Sequence, residues 1–189
     1  SIYGTNKSIV DESCGLEDIN PQSPYAATKY KEELLVREFF NNENLKTVTL
    51  RLGSICGTSP GMRFHAAISK FCYQASTNQP LTVWETALNQ KRPFLNLNDA
   101  TKAIAFIIEN DLFDGEVFNL VTSNFSVKEI IDIIKKYEPN VQIKLVKSKI
   151  MNELSYDVSS DKIQKKGFIF SKTLEEGIRD TINLFKSIK

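Results

Sequence analysis

The stretch that decides the reading is Pro21-Gln22-Ser23-Pro24-Tyr25-Ala26-Ala27-Thr28-Lys29. A serine followed by proline marks a helix start. The Ser23 side-chain oxygen can accept from an otherwise unpaired amide of the first turn, and Pro24, which has no N–H to lose, suits the first helical position. The pattern predicts a helix over 24–43, with Tyr25, Leu34, Leu35, Phe39 and Phe40 on its apolar side and Asn41-Asn42 ending it. Tyr25 and Lys29, four apart, then leave from one helical face. An ammonium beside a phenol favours phenolate and lowers the phenol's pKa. Such a pair is a candidate for moving a proton near neutral pH, which carbonyl and alcohol redox chemistry needs beside a hydride carrier.

The spacing alone decides nothing, because Tyr3 and Lys7 share it. Tyr3-Gly4-Thr5-Asn6-Lys7 contains Gly and Asn and no helical pattern, so those two side chains need not share a face. Read without its surroundings, Tyr25 is an aromatic packed at a helix start and Lys29 a solvated lysine.

Outward from this stretch, strands alternate with helices. Residues 1–4 read as the end of a strand turning at Gly4, and 5–23 as a polar surface loop. Thr47-Val48-Thr49-Leu50-Arg51-Leu52 is β-branched and short, a strand. A loop from Gly53 to Gly61 leads to a helix at about 63–77, then a strand at Leu81-Thr82-Val83-Trp84. Arg92 to Leu97 is a short strand whose start Pro93 weakens. Asp99 or Asn98 caps a helix through Glu109, and 116–121 is a strand. Ser126-Val127-Lys128-Glu129 is a capping box opening a helix to Lys136. Val141 to Val146 is a strand, and 173–187 a terminal amphipathic helix. The alternation implies an α/β fold with a largely parallel sheet. No G-x-G-x-x-G or G-x-x-G-x-x-G follows a strand anywhere in the 189 residues, so the phosphate-cradling turn of a dinucleotide fold is not among them.

Composition narrows the classes further. The chain carries 24 basic and 23 acidic residues, a net charge of +1, which gives no support for a nucleic-acid or membrane-surface partner. No apolar run reaches the roughly 18 residues of a membrane span. Cys14, Cys56 and Cys72 form no CxxC pair and fit reduced thiols of a cytoplasmic protein. No pattern places His65, the single histidine, beside a cysteine, and no metal-ligand spacing is present.

Three features together resemble a known family. Ser23-Pro24-Tyr25-x-x-x-Lys29 is preceded by Ile2-Tyr3-Gly4 and followed by Arg51-Leu52-Gly53-Ser54-Ile55-Cys56-Gly57. This resembles the extended short-chain dehydrogenase/reductases, and within them the NAD-dependent nucleotide-sugar epimerase/dehydratase family. Arg92-Pro93-Phe94-Leu95-Asn96-Leu97-Asn98-Asp99 is similar to that family's R-D-F-x-x-V-x-D stretch. Val117-Phe118-Asn119-Leu120 is similar to its V-Y-N-I-G strand, and Thr173 to Ile178 to its L-E-E-G-I helix. The resemblance covers the whole chain in register and implies the C-terminal part of an NAD(P)-binding, Rossmann-like α/β protein with a substrate-binding subdomain. It divides the chain into 1–61 and 92–121 as remainder of the Rossmann-like domain, and 62–91 and 122–189 as substrate-binding subdomain.

What the resemblance implies for residues is specific. Tyr25 is the acid/base. Lys29 binds the nicotinamide ribose and depresses the phenol's pKa. The cofactor is NAD or NADP, with NAD favoured. Leu52, Gly53 and Ser54 fall where the strand end meets the nicotinamide, and Ser54 stands where relatives often place an Asn on the substrate; the alternative is a plain strand-to-loop turn. Arg63 and His65 fall in the segment covering the sugar, His65 being either a second acid/base or a surface residue at a helix start. Val83 and Trp84 align with a strand that meets the nucleotide base, though a lone Trp is as often core. Arg92 matches a diphosphate-binding arginine, a role its guanidinium fork suits; a salt bridge is the alternative.

Departures matter too. The family's Ser/Thr partner falls upstream of Ser1. The second phosphate arginine is absent near Leu154–Ser155, with Lys147 or Lys149 as candidate substitutes. Ser1 stands where sugar 4,6-dehydratases hold a glutamate, which points away from dehydration and toward epimerisation or simple redox. The implied function is NAD(P)-dependent epimerisation or oxidoreduction of a nucleotide-sugar, with a homodimer through helix 24–43. The rivals are a reductase of a non-nucleotide carbonyl on the same fold and a module that binds no cofactor.

Overall fold

Among the described residues the strand–helix alternation becomes four small sheets rather than one. The computed structural model describes residues 2–4, 7–147 and 155–188. Ser1, Lys149 and Leu154, named above, lie outside the described residues.

Helix α1 (Pro24–Glu43) starts as its sequence predicts, with the Ser23 hydroxyl oxygen accepting from the Ala26 amide at 3.1 Å. It runs past Asn41-Asn42 and stops at Asn44, which takes a left-handed conformation at φ 53°. Asparagine tolerates that region, so Asn44 and not the earlier pair makes the C-terminal cap.

Strand β2 (Thr47–Leu52) lies parallel to β6 (Asp114–Leu120), pairing Leu50 with Phe118 and Arg51 with Asn119. Side chains serve donors that β2 does not reach: the Asn119 amide donates to Glu12 Oε1 and the Val121 amide to Ser160 Oγ. A carboxylate and a hydroxyl thus stand in for a neighbouring strand.

A three-stranded sheet joins β3 (Ser54–Cys56), β5 (Lys91–Asn96) and β7 (Ser123–Ser126), with β5 central, parallel to β3 and antiparallel to β7. The segment expected as a plain loop after Gly53 therefore begins with a strand. Pro93 is tolerated inside β5 because pairing with β3 starts only at Phe94. Strands β4 (Leu81–Trp84) and β8 (Ile143–Val146) form a parallel pair. The last sheet pairs β1 (Ile9–Val10) with β9 (Asp157–Val158). The region expected to be a surface loop thus contributes a two-residue strand whose partner lies about 150 residues on, beyond the reach of a local pattern.

The remaining helices are α2 (Ala67–Ser76), α3 (Leu97–Glu109), α4 (Val127–Tyr137), α5 (Asp161–Lys165) and α6 (Leu174–Ser187). Helix α2 begins four residues later than expected, because 62–66 form a turn before it. The cap of α3 is neither Asp99 nor Asn98. Asn96 accepts from the Asn98 amide at 3.0 Å, and Asp99 is buried in the first turn, bonded to Thr122 and Ser171. The capping boxes opening α4 and α6 are both complete.

Among the described residues three apolar clusters fill the interior. One joins α2, α4 and α6 under β4; a second packs α3 on β6; a third gathers Ile2, Tyr3, Val10, Val121, Tyr156 and Val158. The third lies where residues 2–4 meet β6 and β9, beside the cavity described next. No described helix is long and apolar enough to cross a membrane.

Candidate active site

A cavity of about 490 Å³ opens between α1 and β2, within the range of small-molecule sites. Tyr25, Lys29, Glu32 and Glu33 line it from the helix, and Arg51, Leu52 and Gly53 from the strand. Tyr3, Asn119 and Tyr156 also border it. Helical spacing brings Tyr25, Lys29 and Glu33 to one face. The parallel β2–β6 pair brings Arg51 beside Asn119.

The upper rim is open. Tyr25 is 65% exposed. The Lys29 ammonium sits 6.0 Å from the centre of its ring and is bonded at 2.7 Å to Glu32 Oε2. That bond holds the Lys29 pKa above the usual lysine value. Gly53 closes the strand side. Its amide donates to the Leu120 carbonyl at 2.9 Å, and an added Cβ would come within 3.1 Å of the Phe94 carbonyl carbon. The glycine keeps β2 and β5 close and leaves backbone, not side chain, at the cavity edge.

The inner wall is a buried polar network. Arg51 donates through Nε and Nη2 to the two Glu33 oxygens, at 2.9 and 2.7 Å, and through Nη1 to the Tyr3 hydroxyl at 2.7 Å. That hydroxyl also lies 3.0 Å from both Asn119 Oδ1 and the Asp11 carbonyl oxygen. The Tyr156 hydroxyl donates to the Tyr3 carbonyl at 3.0 Å. Burial works against the charge on Arg51, but the bonds and charges of Glu33 and Tyr3 outweigh it and raise its pKa. Burial pushes the Tyr3 phenol up to about 12, against the lowering pull of Arg51 and Asn119. Tyr3 therefore keeps its proton at neutral pH. Its sequence partner by spacing, Lys7, is bonded to Asp18 instead. Three tyrosines border this cavity, and of them Tyr25 alone is exposed.

Of the residues singled out in the sequence, Tyr25, Lys29, Leu52 and Gly53 meet at this cavity. Ser54, the first residue of β3, is exposed outside its lining. Arg63 and His65 are exposed in the turn before α2. The Val83 side chain is packed in the core, which leaves its backbone for any contact, whereas Trp84 is 46% exposed at the end of β4. Arg92 sits half-buried in β5, donating to the Lys91 carbonyl and to Gln90 Oε1, both at 2.8 Å. Burial lowers its pKa. The next residue, Pro93, reaches the cavity. Glu33 and Tyr156 carry no signal in the sequence, and Tyr3 stands there as a spacing decoy and part of Ile2-Tyr3-Gly4, not as a lining residue. A glutamate eight residues after Tyr25 and an arginine inside an otherwise uncharged strand are visible, but no spacing rule joins them. Among the described residues no group of three or more His, Cys, Asp or Glu is placed to hold a metal ion.

Comparison with known proteins adds to this geometry. Residues 1–120 match the model of the NAD dependent epimerase/dehydratase family. Over 97% of its length the chain is 27% identical to a trifunctional UDP-glucose 4,6-dehydratase/UDP-4-keto-6-deoxy-D-glucose 3,5-epimerase/UDP-4-keto-L-rhamnose-reductase of Arabidopsis thaliana, of which it spans 28%. Over 88% of its length it is 26% identical to the dTDP-D-glucose 4,6-dehydratase of Bos taurus, of which it spans 48%. Its fold superposes, with a TM-score of 0.86, on the UDP-glucuronic acid 4-epimerase of Bacillus cereus in complex with UDP-glucuronic acid and NAD. That match is 23% identical and covers all of this chain and 60% of the other. The chain thus spans at most about half the length of these two curated relatives.

Proposed function

This chain belongs to the NAD dependent epimerase/dehydratase family, and we propose that its protein transforms a nucleotide-linked sugar at a carbinol carbon with NAD as hydride carrier. One observation carries the proposal: α1 and β2 bring Tyr25 and Lys29 together with Leu52 and Gly53 at one cavity. An open phenol, an ammonium and a glycine edge suit a nicotinamide and its ribose. Bound NAD supplies the acceptor for a sugar hydride.

Tyr25 takes the proton of the carbinol hydroxyl and returns it when the reaction runs back. Lys29 holds positive charge beside that phenol and offers donors to ribose hydroxyls. Gly53 lets a flat ring lie against the strand end. Tyr3, its hydroxyl bonded among Arg51, Asn119 and the Asp11 carbonyl, stays out of the proton transfer. On the substrate side we assign Arg92 to the diphosphate, Val83 and Trp84 to the base, and Ser54, Arg63 and His65 to the sugar. In this reading 1–61 with 92–121 are the remainder of the Rossmann-like domain, and 62–91 with 122–189 the substrate-binding subdomain.

Within the class we favour epimerisation or reduction over 4,6-dehydration, because Ser1 stands where dehydratases of the resemblance hold a glutamate. A cytoplasmic homodimer through α1 accompanies this reading. Its support is three free cysteines and the exposed Leu34, Leu35 and Phe39 on that helix. The test is to incubate the full-length protein with NAD and a panel of UDP- and dTDP-hexoses and to identify products by NMR. An inverted or reduced sugar is expected. A 4-keto-6-deoxy product overturns the preference within the class. No binding of any nucleotide-sugar overturns the class itself.

A further inference from the structure

Helix α1 buries only two side chains, Ala26 and Glu33. A carboxylate placed where an apolar side chain would serve asks for a physical reason. Glu33 lies four residues after Lys29 and eight after Tyr25, on the face that borders the cavity. Its partner Arg51 immediately precedes Leu52 and Gly53 at the other edge. The ion pair is therefore a direct tie between the strand end and the helix that presents the phenol. Its geometry is a fork: two parallel N–H···O bonds at 2.9 and 2.7 Å. The third Arg51 bond, to Tyr3, and the guanidinium's place 5.2 Å from the Tyr3 ring centre fix the fork itself. Arg37, one turn on, sets its Nη2 3.8 Å from the same carboxylate.

Apolar packing is non-directional, so a helix seated only on apolar contacts can slide or roll by a fraction of a residue. A bidentate fork resists both motions. We propose that Glu33 and Arg51 are positioning residues: they fix the slide and roll of α1 on β2, and so the distance at which Tyr25 stands from whatever is seated on Leu52 and Gly53. This rests on the reading of Tyr25 as the acid/base. Neither residue touches the reacting atoms in this role, and both act through Tyr25.

The test uses the full-length protein, its nucleotide-sugar substrate and NAD. Glu33→Asp keeps the charge and pulls the fork back by one methylene; Arg51→Lys keeps the charge and removes the fork. Both should lower kcat by about 10–100-fold, the scale of a misplacement near 1 Å. KM for the sugar and Kd for NAD should stay within about twofold, since uniform binding is untouched. Lys46→Ala, which breaks an exposed ion pair with Asp111 away from the cavity, should leave kcat unchanged. In a Tyr25→Phe background, Glu33→Asp should cost nothing more, because a residue acting through Tyr25 has nothing left to position. A purely structural role predicts the opposite, a second loss that multiplies the first. If Tyr25→Phe abolishes turnover while both pair variants turn over normally, the positioning role alone is overturned. Normal turnover by Tyr25→Phe overturns the acid/base reading and this role with it.

Discussion

Helices α1 and α4 are built on opposite rules. Helix α4 opens with a complete capping box, buries Ile130, Ile131, Ile133 and Ile134 on one side, and ends with Lys135 and Lys136. Cap, burial and macrodipole all agree. Helix α1 has a serine cap but no acidic residue in its first turn and no basic one in its last, buries a glutamate, and exposes Leu34, Leu35 and Phe39. The contrast teaches where to look for chemistry. A helix that satisfies every local rule is scaffold. A helix that breaks them is held by something specific, here the Glu33–Arg51 fork, and offers its remaining faces to a ligand or a partner.

Breaking the contrast starts with the fork. Glu33→Ala leaves the Arg51 guanidinium buried without its carboxylate and should cost about 3–5 kcal/mol in urea unfolding. Ile134→Ala, on the helix that follows the rules, should cost about 2–4 kcal/mol through its cavity. If Glu33→Ala is nearly neutral, α1 is seated by its apolar contacts and the contrast collapses.

Acid sharpens the difference next. Thr173 bonds and Lys172 hold the Glu176 carboxyl at about 2, below its usual 4.5, and bonds to Ser126 lower Glu129 as well. A carboxylate depressed in the folded state stabilises it above the unfolded pKa. For Glu176 that contribution is lost as pH falls from about 4.5 toward 2. In acid, amide protection corrected for intrinsic exchange should fall at the first turns of α6 and α4 and not at that of α1, which has no acidic residue there. The smallest effect on folding belongs to the exposed face. Leu35→Glu should change monomer stability by less than about 0.5 kcal/mol, yet sedimentation should show dissociation of the homodimer proposed through α1.

The two helices also show what was legible in the sequence and why. Helix α4 is legible from its capping box, α6 from its amphipathic pattern and β2 from its β-branched run, because their signals are local. The start of α1 was legible for the same reason. Strands β1 and β9 were not, because each is two residues long and exists only through the other. Strand β7 (Ser123–Ser126) lacks an apolar alternation and is made a strand by pairing with β5. At the candidate site, helical spacing makes Tyr25 and Lys29 legible as neighbours on one face, whereas their roles and those of Leu52 and Gly53 come from the family resemblance alone. The fork was not: Glu33 and Arg51 meet only once α1 lies on β2, and neither residue's neighbours name its partner.

The central claim is that Tyr25, held open at the rim of this cavity, is the group that moves the proton. The most direct measurement compares wild type and Tyr25→Phe in the full-length protein, for NAD affinity by calorimetry and for turnover of the nucleotide-sugar. The account predicts that turnover falls by at least about 10²-fold, the contribution of a positioned acid/base, while NAD affinity stays near wild type. Turnover close to wild type in Tyr25→Phe would contradict it.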